Sequence, residues 1–150
     1  MARFRFRAQA ALDLRVREHE TALRELAHAE SEQQRATARV DAAARTLDEA
    51  RRTADAAMRT ATSAADLQWY RFWIVRLDHE RAMCVAALET QNEMVAAARI
   101  ACLAARQRRE SLERFRDKSQ AAYLAAEADT ERKLIDELAT RRFAAKAERA

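Results

Sequence analysis

The side chains that could do covalent or metal chemistry are His19, His28 and His79, the thiols of Cys84 and Cys102, and 24 Asp and Glu carboxylates. Their spacing does not assemble a site. His79-Glu80 opens like a zinc-binding helix, but position 83, where the second histidine should follow one turn later, is Met83. Cys84 and Cys102 lack C-x-x-C spacing, and on one helix they stand about 27 Å apart, too far to bridge within a chain. They read as small buried thiols in a reducing compartment. Asp136 and Glu137 are neighbours on a helix and point to different faces, so they form no carboxylate dyad. Without glycine the chain cannot build a phosphate-cradling loop. The expectation is no catalysis, no bound metal and no cofactor.

What remains is the chemistry of docking, and two stretches carry it. Trp69, Tyr70, Phe72 and Trp73 crowd one short segment. Consecutive aromatics cannot all face one helix seam, so some must face outward. They read either as a docking tip or as an apolar plug that staples a turn. The second stretch, EADTERKLIDELATRRFAAKAERA at 127–150, sets Leu134, Ile135, Leu138 and Phe143 among dense charges.

The elements that position these stretches must be few and long, because there is no Gly and no Pro in 150 residues. Thr60, Thr62, Ser63 and Asp66 form the densest patch of residues that favour caps over helix interiors, and Ser63-x-x-Asp66 has the spacing of a helix start. The expected fold is all-α: a long two-helix antiparallel coiled-coil hairpin with an overhanging C-terminal helix. It is one domain over 1–150, with helix 1 at about 2–61, a turn at about 62–66 and helix 2 at about 67–146.

A sustained 3.5-residue period supports both arms. In the first, the stripe runs through Leu12, Val16, Leu23, Leu26, Val40, Leu47 and Met58. His19, Glu30, Gln33 and Arg51 interrupt it as polar positions that weaken pairing but can fix its register. In the second it runs through Tyr70, Ile74, Leu77, Cys84, Leu88, Val95, Ala98, Cys102, Ala105 and Leu112. Folding at the turn sets Val40 near Leu88, Leu26 near Leu103 and Leu12 near Phe115, and brings Phe4 and Phe6 to Leu124 and Tyr123. Phe4 and Phe6 alternate with Arg3, Arg5 and Arg7, a period of two that leaves their local structure open. Helix 2 then overhangs by about 20 residues, about 30 Å of helix.

Charge narrows the partners. The formal net charge is +4 and the isoelectric point about 9.6. Acids precede bases by four residues in Glu20/Arg24, Asp41/Arg45, Asp48/Arg52, Glu110/Arg114, Asp129/Lys133 and Glu137/Arg141, so the charges read first as solvated helix faces. A nucleic-acid-binding coiled coil using Arg99, Arg106, Arg108, Arg109, Arg114 and Arg116 is a rival, weakened by Glu110, Glu113 and Asp117 inside that patch. The longest apolar runs, Met83–Leu88 and Ile100–Ala105, fall far short of the roughly 20 residues needed to span a bilayer. No membrane insertion is expected, and MARFRFRAQ lacks the apolar core of a secretory signal.

FRFRAQAALDLRVREHETALRELAHAE at 4–30, LQWYRFWIVRL at 67–77 and ERKLIDELATRRF at 131–143 resemble, in order, the FliJ family of flagellar export proteins. E-x-K-x-x-D-E-x-A-x-x-R is the most specific of these strings. The resemblance covers essentially the whole chain. It implies a cytoplasmic, non-enzymatic coiled coil similar to the stalk of rotary ATPase gamma subunits, peripherally associated with the inner membrane at the flagellar base. It further implies that the chain binds the hexameric export ATPase and touches the cytoplasmic domain of the membrane export-gate protein, with export chaperones as further candidate partners. Trp69, Trp73, Ile74 and Leu77 are the residues expected at the gate. Glu131, Lys133, Leu134, Asp136, Glu137, Leu138, Arg141 and Arg142 are expected at the ATPase. The Trp69/Trp73 pair is bulkier than much of the family has at the tip. The equivalent stalk of a virulence-type secretion system shares the same physics and stays open as an alternative.

Overall fold

The computed structural model describes residues 4–60 and 63–147, with side chains described as far as residue 143. Among them it contains two helices, α1 (Gln9–Arg59) and α2 (Ala64–Ala147), packed antiparallel as a helical hairpin. The expected turn residue Thr62 lies outside the described residues. Ser63 closes a capping box at the start of α2. Its Oγ donates to Asp66 Oδ2 at 2.6 Å, and the Asp66 amide donates back to Ser63 Oγ at 3.2 Å. Two donors that the helix end would otherwise leave unmet are satisfied in this way, since the Ser63 amide also reaches Asp66 Oδ2. The helix therefore starts at Ala64, three residues earlier than the expected 67.

Contacts gather the chain into two compact units, Glu20–Ala104 and Met1–His19 with Ala105–Ala150. In the first, the buried line on α1 is Ala22, Ala29, Ala36, Leu47, Ala50 and Ala54. The expected stripe placed Leu23, Glu30 and Arg51 in the seam; the structure moves burial one residue back, to Ala22, Ala29 and Ala50. Leu23 is exposed as a result. The reason is size and polarity together. Alanine lets the backbones approach, while the longer Glu30, Gln33 and Arg51 reach from the border to partners on the other helix. Glu30 pairs with Arg99 at 3.0 Å, Arg51 with Asp78 at 3.7 Å, and Gln33 donates to Asn92 Oδ1 at 2.6 Å. On α2 the alternating four-three line is kept, with Val95 and Cys102 buried. Leu103, expected opposite Leu26, is 55% exposed because Cys102 already holds the seam position. Met58 is exposed as well, although it stood in the expected stripe.

In the second unit, Leu12, His19 and Ala105 are buried. Arg109 Nη1 lies 3.2 Å from His19 Nδ1. A guanidinium can only donate, so Nδ1 accepts and the imidazole proton sits on Nε2. Arg109 Nε is buried without an aligned acceptor, although Glu113 Oε1 lies 3.4 Å away as an ion pair. Helix α1 begins at Gln9, not near residue 2, and residues 4–8 run outside it. The period of two wins there. Phe4 meets Tyr123 at 5.5 Å between ring centroids and Phe6 meets Phe115 at 5.7 Å. The step from Phe4 to Phe6 thus covers two turns of α2, which takes Phe6 to Phe115 instead of the expected Tyr123.

Candidate functional site

The first turns of α2 bring three of the crowded aromatics together. Trp69 and Trp73, four apart and so on one face, stack at 5.3 Å, and Tyr70 meets Trp69 edge-on at 5.1 Å. Trp69 remains 58% exposed, and Trp73 and Tyr70 are half-buried. Ile74 and Leu77, expected at the tip, are half-buried along the seam line. The side chains that α2 presents beside the cluster are Phe72, 68% exposed, and Val75. Phe72 is one of the crowded aromatics expected to include outward-facing rings, but neither it nor Val75 was among the residues expected at the gate. The signal was available, because Phe72 and Val75 fall on the outer positions of the same four-three register that puts Ile74 and Leu77 inward.

The far stretch of α2 is built differently. Continuing the seam line past Tyr123 gives Ala126, Thr130, Lys133, Glu137 and Thr140, mostly polar. Apolar side chains leave that line where α1 no longer supplies a partner and reappear on its flank and outer side. Leu134, Ile135 (63% exposed), Leu138 and Phe143 (79% exposed) stand free of the seam. Ile135, Leu138, Ala139, Arg142 and Phe143 line an open groove of 550 Å³. Glu131, Lys133, Asp136, Glu137, Arg141 and Arg142 are all exposed. They do not converge. Glu131 and Arg142 border the apolar face, whereas Lys133 and Glu137 lie on the continued seam line.

Two titratable groups in the stem between these faces are shifted by their neighbours. A hydrogen bond from Arg106, 2.6 Å from Glu110 Oε1, holds the Glu110 carboxyl below its ordinary range, with the Arg106, Arg114 and Arg109 charges adding to the effect against a partial desolvation. Tyr123 donates to Glu127 Oε1 at 2.6 Å, which raises its phenol above the usual value because the proton is held between two oxygens. Cys84 is half-buried and Cys102 buried. No group of three or more His, Cys, Asp or Glu among the described residues could hold a metal ion, and no described helix is long and apolar enough to cross a membrane.

Fold and faces together define a class: a helical hairpin whose second helix carries a self-packed aromatic cluster at its start and an uncovered apolar face in its last third. The family described as Flagellar FliJ protein matches residues 5–148, nearly the whole chain. The chain belongs to the FliJ family, and is thereby a component of the flagellar export apparatus, in a family whose part there is non-catalytic. No match was found among curated proteins, and none among solved structures.

Proposed function

We propose that this chain is the cytoplasmic stalk of the flagellar export machine, which binds and stimulates the hexameric export ATPase through residues 131–143 and meets the cytoplasmic domain of the export-gate protein through the aromatic start of α2. The observation that carries this reading is the apolar face of Leu134, Ile135, Leu138 and Phe143, kept on α2 beyond the reach of α1. Apolar contact gives grip inside a ring, and the bordering charges set orientation and approach. The hairpin itself supports a structural rather than catalytic role, working without cofactor at the inner-membrane base of the flagellum. Its arginines argue against the nucleic-acid alternative: Arg99, Arg106, Arg109, Arg114 and Arg116 each lie within 4.0 Å of a carboxylate. Phosphate contacts would have to break those pairs.

The test is the rate of ATP hydrolysis by the purified export ATPase with the full chain added, against a variant lacking residues 131–150. The full chain should stimulate and the shortened one should not, while circular dichroism shows the hairpin intact. Equal stimulation by both would sink the assignment. In a binding assay with the gate's cytoplasmic domain, Trp69→Ala with Phe72→Ala should weaken capture and leave ATPase stimulation unchanged.

A further inference from the structure

The uncovered face of α2 has an internal symmetry. Glu131, Ile135, Leu138 and Arg142 succeed one another at intervals of four, three and four, so they share one stripe of the helix. All four are exposed. Read from either end the order is charge, apolar, apolar, charge, with the sign of the charge reversed. We propose that this face pairs with a second copy of itself, antiparallel, about a two-fold axis between Asp136 and Glu137.

In that arrangement Ile135 packs on the partner's Leu138 and Leu138 on the partner's Ile135. Glu131 meets the partner's Arg142 at one end, and Arg142 meets the partner's Glu131 at the other. Leu134 shares its border with the partner's Arg141, against whose aliphatic stem it lies. The pairing is isologous, so one patch serves both sides and the contact closes at two copies. Charge selects the direction. A parallel arrangement would put Glu131 against the partner's Glu131 and Arg142 against the partner's Arg142, like facing like at both ends. On the other border Arg132, 3.5 Å from Asp129, lies beside the partner's Ala139, so no like charges meet there.

The contact is small. A stripe of this length buries less than the roughly 1,200 Å² of a stable complex, so the pair is weak and exchanges readily. It would shield the apolar face in free protein and release it to a tighter binder. The inference goes beyond the export reading and is tested without any ATPase, so either can fail alone.

Sedimentation equilibrium of the purified full chain, in reductant so that Cys84 cannot link copies, should show association that rises with concentration. Glu131→Arg leaves only positive charge at both ends of the stripe, and Arg142→Glu only negative. Each variant alone should associate at least about tenfold more weakly than wild type. An equimolar mixture of the two should recover association, because the Glu131→Arg copy is positive at both ends of the stripe and the Arg142→Glu copy negative at both, so opposite charges meet at each end. Both substitutions lie on exposed positions, and circular dichroism checks that helix content is kept. Wild type that stays monomeric over the whole range, single variants that associate as well as wild type, or a mixture no stronger than its components would each overturn the proposal.

Discussion

The start of α2 and its last third both hold large apolar side chains away from α1, yet they solve the problem of exposure in opposite ways. Trp69, Tyr70 and Trp73 pack on one another, so that cluster exists before any partner arrives. Leu134, Ile135, Leu138 and Phe143 gain no such shelter. A preassembled aromatic patch loses little side-chain freedom on docking, which favours specificity over driving force. The open aliphatic face keeps most of its apolar area available for burial, which favours strength.

The largest effect should separate covered from uncovered apolar residues. Leu47, 2% exposed, should cost about 2–5 kcal/mol of hairpin stability when changed to Ala, whereas Leu138→Ala should stay within about 0.5 kcal/mol. Thermal unfolding of both variants, at concentrations low enough to keep the chain monomeric, checks this, and similar losses would mean that Leu138 is packed within its own chain. Next comes the aromatic cluster. Trp73→Ala should remove a stacking contact of about 0.5–1.5 kcal/mol and lower the near-ultraviolet dichroism of Trp69, while Phe143→Ala leaves both unchanged.

The smallest effect is one of pH. Glu110 titrates below its ordinary value of 4.5 when folded, chiefly through the Arg106 hydrogen bond. Its contribution is therefore present above the unfolded value and fades as pH falls through the folded one. Melting temperatures followed from about pH 6 to pH 3 should drop slightly less steeply in Glu110→Gln than in wild type. An identical acid limb would show that the Arg106 contact is too solvated to matter.

Much of this molecule was legible in the sequence because a coiled coil writes its seam as a period. The line through Val95, Cys102 and Ala105 on α2 is where the four-three spacing puts it, and Ser63 and Asp66 announce the helix start as a capping box. On α1 the line through Leu12, His19, Leu47 and Ala54 is buried where the period put it, and only the alternate positions shifted, from Leu23, Glu30 and Arg51 to Ala22, Ala29 and Ala50. Counting apolar residues favoured Leu23, but close packing prefers Ala22, and periodicity carries no information about how near two backbones come. Phe6 was misplaced for a related reason, since the helical rise does not apply to residues 4–8. The exposed apolar faces were half legible. Aromatic crowding marked Trp69 and Trp73, and the apolar stripe marked Leu134 and Leu138, but which neighbours stay outside depends on the orientation of α2, which sends Ile74 and Leu77 inward and Phe72 and Val75 out.

The alanine line of α1 has a mechanical consequence. Ala22, Ala29, Ala36 and Ala50 recur at whole heptads or multiples of them, so for apolar contact alone a lengthwise slide of one helix past the other by a heptad meets nearly the same shallow profile. What resists the slide is the set of pegs at the borders. A slip of seven residues takes Arg51 from Asp78 to Arg71 or to Val85, and takes Gln33 from Asn92 to Arg99 or to Val85. The hairpin is a smooth rail with a few charged stops. Axial load would therefore be borne at Glu30, Gln33 and Arg51, and neutralising those three together should let the helices creep while leaving their helix content untouched.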